Sequence, residues 1–97
     1  METTRQKIER LGREYLEDEN YKKGFISLEW VEKLNKELNL TKLSDLELAN
    51  MWDMVYLTLD HKFNYYDGNE NYINAIKWMD VKSAFVEVVN KIARERR

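Results

Sequence analysis

None of the 97 residues is proline and only three are glycine, so almost nothing in the chain interrupts a helix. Under that condition the spacing of apolar residues decides where helices lie and which side each one buries. From about Thr4 to Glu19, Ile8, Leu11, Tyr15 and Leu16 recur on one side while Arg5, Lys7, Glu9, Arg13 and Glu17 take the other; Thr3 and Gln6 fit a capping box. Gly12 falls inside this stretch, where glycine costs about 1 kcal/mol against alanine. It reads as a tolerated defect, with close passage of another helix as the alternative. Asn20 to Gly24 ends the helix. Ser27 then fits the N-cap of a second helix reaching Asn39, with Leu28, Val31, Leu34 and Leu38 inward. Glu29 and Lys33, and Glu32 and Lys36, are i,i+4 pairs that mark its solvated face.

The third helix is expected at about residues 44 to 63 and is central to the fold. Ser44 and Glu47 form its capping box, and Asp67-Gly68 marks a turn beyond its end. Leu48, Ala49, Met51, Trp52, Val55, Tyr56 and Leu59 share one broad arc, which is the expected core side. Leu46, Met54 and Leu57 fall on the opposite arc among Asn50, Asp53, Asp60 and His61. Either another helix, such as one from Asn71 to Met79, covers those three, or they are a contact surface. For residues 63 to 79 the spacing of Tyr72, Ile73, Ile76 and Met79 favours a helix, with a short hairpin through Phe63 to Gly68 as the alternative. Asp80 is read as the N-cap of a last helix with Val81, Ala84, Phe85, Val88 and Ile92 inward. Arg94, Arg96 and Arg97 lie at its C-terminal end, where the helix dipole favours cations. The fold class is therefore all-α: a compact bundle of four to five helices, with residues 1 to 97 as a single helical domain.

The parts for chemistry are few. With no cysteine, disulfides, thiolate metal sites and thiol nucleophiles are excluded. His61 is the only histidine, and its neighbour Asp60 diverges from it by about 100° on a helix, so the pair is no catalytic dyad. Ser27 and Ser44 are already accounted for as caps. Placing Gly68 at the sixth position of a calcium loop puts Phe63, Tyr65 and Asn74 where oxygen ligands and a glutamate belong, so the Asp- and Asn-rich stretch is a turn. No phosphate-binding glycine loop or zinc motif occurs. The expectation is a protein that is not an enzyme, with no cofactor and no metal. No apolar run reaches the roughly 18 residues of a membrane span, and the charged start is unlike a signal peptide, so the expected location is cytoplasmic, without membrane contact.

Val31 to Thr41 resembles the first helix and turn of a helix-turn-helix motif, with Asn39 where glycine commonly sits. The helix that follows would have to meet phosphates, yet it begins with Asp45, Glu47, Asn50 and Asp53, with Lys42 alone ahead of it. A DNA-binding regulator is thus the alternative function, with direct nucleic-acid binding the less favoured one.

The formal charge of −2 conceals a separation. Residues 1 to 42 balance; residues 43 to 80 carry seven acids against Lys62 and Lys77; residues 81 to 97 are net basic. The acidic middle also holds Trp52, Tyr56, Phe63, Tyr65, Tyr66, Tyr72 and Trp78, of which Trp52, Tyr56 and Trp78 are assigned to the core. Aromatic and methionine side chains ringed by charge suit a protein interface. The expected function is a small interaction or regulatory module, in one version an inhibitor, which presents Leu46, Asn50, Asp53, Met54, Leu57, Asp60, Tyr65 and Tyr66 to a protein with a basic surface. Self-association through Leu46, Met54 and Leu57 is the other partner expectation.

Overall fold

The computed structural model describes residues 1–97, and every regular element in it is helical. Helix α1 spans Thr4–Glu17, α2 Glu19–Lys22, α3 Leu28–Leu38, α4 Asp45–Gly68 and α5 Tyr72–Glu95, with a 3-10 turn at Leu40–Lys42. This is the expected all-α bundle of four to five helices. Its starts are set by local chemistry. The Thr3 hydroxyl accepts from the Gln6 amide at 3.1 Å, and the Gln6 side chain accepts from the Thr3 amide at 2.9 Å. Ser44 and Glu47 repeat the exchange at 3.1 and 3.0 Å. Each box satisfies amides that a helix start leaves without partners. Asp18 leaves the helical conformation and caps α2 instead, so α1 stops two residues short of Glu19.

Two boundaries differ from expectation. α4 continues past Phe63 to Gly68, which removes the hairpin alternative for residues 63 to 68. Nothing in Asn64 to Gly68 blocks a helix, and Tyr66 still packs against the core there. The reversal falls on Asn69 to Asn71. The Asn69 side-chain amide donates to the Tyr65 carbonyl at 2.6 Å, and Glu70 adopts φ 59°, the left-handed region. The second difference is that Asp80 caps nothing. α5 is continuous through it, and the Asp80 carboxylate accepts from the Tyr21 hydroxyl at 3.1 Å. Because the helix is unbroken, the inward stripe of Val81, Ala84, Phe85 and Val88 extends backward to Trp78 and Ala75. Tyr72, Ile73, Ile76 and Met79, whose spacing announced the helix, lie on its outside.

α4 and α5 form an antiparallel pair, as ion pairs at both levels require: Asp45 with Arg96 at 3.1 Å and Asp60 with Lys82 at 3.2 Å. Each helix has 24 residues, about 36 Å at 1.5 Å per residue, which accounts for the 40 Å long axis of the molecule. α1 touches α3, α4 and α5. It does so at Gly12, which is no tolerated defect. A Cβ built there would lie 2.8 Å from the Trp78 ring and 3.0 Å from Val81, so the missing side chain is what lets α1 approach α5.

Trp30 joins the layers from α3. Its indole N–H donates to the Leu11 carbonyl at 2.9 Å, and its ring meets Phe85 edge-on at 5.1 Å and Tyr15 at 4.6 Å. Leu28, expected inward, is exposed: a face that buries Trp30, Leu34 and Leu38 turns Leu28 out by helical geometry. Arg10 of α1 binds Glu2 at 2.8 Å, and Glu37 at the far end of α3.

Candidate functional site

Along α4, Leu46, Asn50, Met54, Leu57 and Tyr65 follow one another at three-, four- or eight-residue steps and therefore share a side of the helix. The opposite side carries Leu48, Val55 and Leu59, all buried, and Thr58, also buried, lies on the flank below Tyr65. Leu46 is 73% exposed, Leu57 64% and Met54 42%; no helix covers them. Of the two readings for these three residues, coverage by residues 71 to 79 is excluded, because that segment packs its Ala75 and Trp78 inward beside the other flank of α4. Leu46 and Leu57 stand three turns apart, about 16 Å along the axis.

Asp53 lies beside this stripe and takes part in no hydrogen bond or ion pair. It also forms one wall of an open cleft of about 490 Å³ between the start of α4 and the end of α5, with Trp52 and Ala49 beside it and Val89, Ala93 and Arg96 opposite. Trp52 is only half-buried and stacks on Tyr56 at 5.2 Å with 18° between the rings. Tyr56 is exposed on its outer side, so Trp78 alone of the three assigned core aromatics is fully inside.

Two of the eight expected contact residues are placed elsewhere. Asp60 turns toward α5, where it binds the Lys82 ammonium and accepts from the Asn64 amide at 3.4 Å. The same ammonium sits 3.8 Å over the Tyr56 ring. Burial works against the Lys82 charge, but Asp60 and Tyr56 together outweigh it and hold its pKa above the ordinary lysine range. Tyr66 packs against the core, with the Lys62 ammonium 5.9 Å from its ring, and only its edge meets Tyr65. Leu46, Asn50, Asp53, Met54, Leu57 and Tyr65 are brought together on the exposed side; Asp60 and Tyr66 are not.

The charge separation read along the chain does not survive as a separation in space. Because α5 returns antiparallel to α4, the basic C-terminus lies against the acidic start of α4. Arg96 bridges Asp45 and also donates to the Leu40 and Thr41 carbonyls at 3.3 and 3.4 Å. Glu47 is engaged in its capping box, which holds its carboxyl below the usual range. Where a helix-turn-helix would present its reading helix, this chain presents Asp45, Leu46, Glu47, Asn50 and Asp53, and Arg96 is already committed within the fold. His61 lies exposed on α4.

The spacing of Tyr72, Ile73, Ile76 and Met79 was legible; their direction was not. Extending the Val81, Phe85 and Val88 stripe backward by threes and fours selects Trp78 and Ala75, and that signal places the other four outside.

No helix is long and apolar enough to cross a membrane. Comparison with protein-family models, with curated proteins and with solved structures gives no significant match.

Proposed function

We propose that this protein is a non-enzymatic interaction module whose α4 outer face docks on another protein with a basic surface. The observation that carries the reading is the pairing of Leu46 and Leu57, both largely exposed, with the free carboxylate of Asp53 between them on a helix whose other side is core. Apolar side chains on this scale supply the anchoring area, and an unpaired carboxylate favours a cationic rim on the partner. Asp45 and Asp60 are engaged by Arg96 and Lys82, so apolar contact carries the affinity and Asp53 sets the choice of partner. A protein held this way has its basic surface covered, which is how such a module would inhibit it.

The test compares capture of binding proteins by the wild-type chain, Leu57→Asp and Asp53→Lys, with circular dichroism confirming that each variant is folded. A basic protein retained by the wild type and lost by both variants supports the reading. Equal retention by all three overturns it. So does binding to generic duplex DNA that collapses as salt rises, since that dependence is the mark of phosphate contacts.

A further inference from the structure

α3 and α5 both pack on α1 and meet where the Trp30 ring reaches Phe85. Beside that contact they stand apart, and an open cleft of about 370 Å³ has Leu28 and Val31 of α3 on one wall and Val88 and Ile92 of α5 on the other. A second cleft of about 330 Å³, walled by Tyr15, Tyr21 and Ala84, continues it, because Ile26 and Glu87 line both. The two form one groove to which α4 contributes no residue. Leu28, Val31 and Asn35 follow at steps of three and four and share the flank of α3 that faces this space. Leu28, 73% exposed, is thus the bare edge of a groove.

We propose that this groove receives an extended segment of another protein in which basic side chains are interleaved with apolar ones. Its α5 wall runs from Asp80 to Glu95, about 22 Å, the span of about seven residues of extended chain. Apolar side chains of the segment enter between Leu28 and Val31 on one wall and Val88 and Ile92 on the other. Asn35 lines the same cleft, and its Oδ1 is buried with no hydrogen-bond partner, although a buried amide normally has one. A hydrocarbon ligand would leave it unmet. An extended backbone brings an N–H at nearly every residue, and a turn of the Asn35 side chain offers the amide to it.

Charge selects the occupant. Asp80, Glu87 and Glu95 line the α5 wall at intervals of two turns, about 11 Å, and none of them is in an ion pair. Asp80 accepts only from the Tyr21 hydroxyl, at 3.1 Å, and Lys91 is the one cation that lines either cleft. Burial, and then the charges of Asp80, Glu87 and Asp18, push the Tyr15 phenol above its ordinary range, so this negative field reaches the wall of the groove unneutralised. Nucleic acid and an anionic membrane are repelled by it. A lysine or arginine side chain is attracted, and basic residues three or four apart on an extended segment match the carboxylate interval of about 11 Å.

Selection from a phage-displayed library of random peptides, about twice the length of the groove, against the full chain tests the proposal. The expected winners are rich in lysine or arginine with apolar residues between. In fluorescence anisotropy their affinity should fall about tenfold or more in Glu87→Lys and severalfold in Leu28→Ser, which removes the apolar edge without altering charge. Asp53→Lys, the same kind of reversal placed on α4, should leave it unchanged. Both groove positions are exposed, so the variants should keep their helical circular dichroism; Glu95→Lys takes the place of Glu87→Lys if that one does not. No enrichment, enrichment of acidic or uncharged sequences, or binding that Asp53→Lys abolishes and the groove variants spare overturns the proposal. So does sedimentation that shows a dimer dissociated by Leu28→Ser, since the occupant would then be a second copy. The α4 reading is judged by Leu57→Asp and Asp53→Lys, so either can fail alone.

Discussion

Gly12 and Glu70 show how far a single backbone position can be read in isolation. By helix propensity alone, Gly12→Ala gains about 1 kcal/mol. The Trp78 ring at 2.8 Å and Val81 at 3.0 Å reverse the sign, because an added methyl there displaces buried groups at a cost of about 1–3 kcal/mol. We expect a net loss of up to about 2 kcal/mol in urea denaturation. Glu70 is the opposite case. It occupies the left-handed region without being glycine or asparagine, and its side chain is exposed. Glu70→Gly relieves that conformation and should stabilise the protein by about 0.5–1 kcal/mol, less whatever glycine adds to unfolded-chain entropy. Thermal denaturation at matched pH checks it.

Between elements, the ion pairs at Arg10 fasten α1 to the end of α3. Hydrogen bonds from Arg10 hold the Glu2 and Glu37 carboxyls below their ordinary value of 4.5, and the same contacts raise the guanidinium's own pKa. A carboxyl whose folded pKa is depressed contributes stability that is present above its unfolded value and disappears as pH falls through its folded one. The Arg10 contribution is therefore full at neutral pH and is lost on acidification below 4.5. Arg10→Ala should cost about 1 kcal/mol at pH 7, as partly exposed pairs do. The gap from wild type should close toward pH 3; a gap that persists there would assign the loss to packing of the arginine stem. Trp30 ties α3 to both α1 and α5 through one ring and one N–H, which explains why α3 turns Trp30 inward and Leu28 outward.

For the molecule as a whole, exposure separates residues that matter for folding from those free to serve the proposed contact. Leu46→Asp and Leu57→Asp should each change stability by no more than about 0.5 kcal/mol, as surface substitutions do. Leu59→Asp, two residues from Leu57 and fully buried, should abolish folding, since it places a carboxylate where nothing pairs with it. Circular dichroism of the three variants side by side decides the matter; loss of fold in Leu57→Asp would remove α4's outer face from consideration as a docking surface. The antiparallel return of α5 also ties the C-terminus to the middle of the chain. Arg96 holds Asp45 and two carbonyls of the 3-10 turn, so the last residues secure the start of α4.

The sequence alone determined what acts within one turn of chain. Absent proline, the Thr3 and Ser44 capping boxes and the Ser27 cap fixed helical class and helix starts, and the Val81 to Val88 stripe fixed the inward face of α5. Of the candidate site, the opposed arc of Leu46, Met54 and Leu57 was visible because helical period is local. Tertiary structure decided what covers what. Only the fold shows that Gly12 meets Trp78, that Asp60 and Tyr66 turn away from the α4 outer face, and that Tyr72 to Met79 stay bare. It also folds the basic terminus onto the acidic start of α4, so that a separation along the chain becomes ion pairing in space. The physical reason is distance along the chain. Caps and period are set by residues three or four apart, whereas coverage and charge pairing depend on partners far along the chain, fifty-nine residues for Tyr21 and Asp80 and more for Gly12 and Trp78.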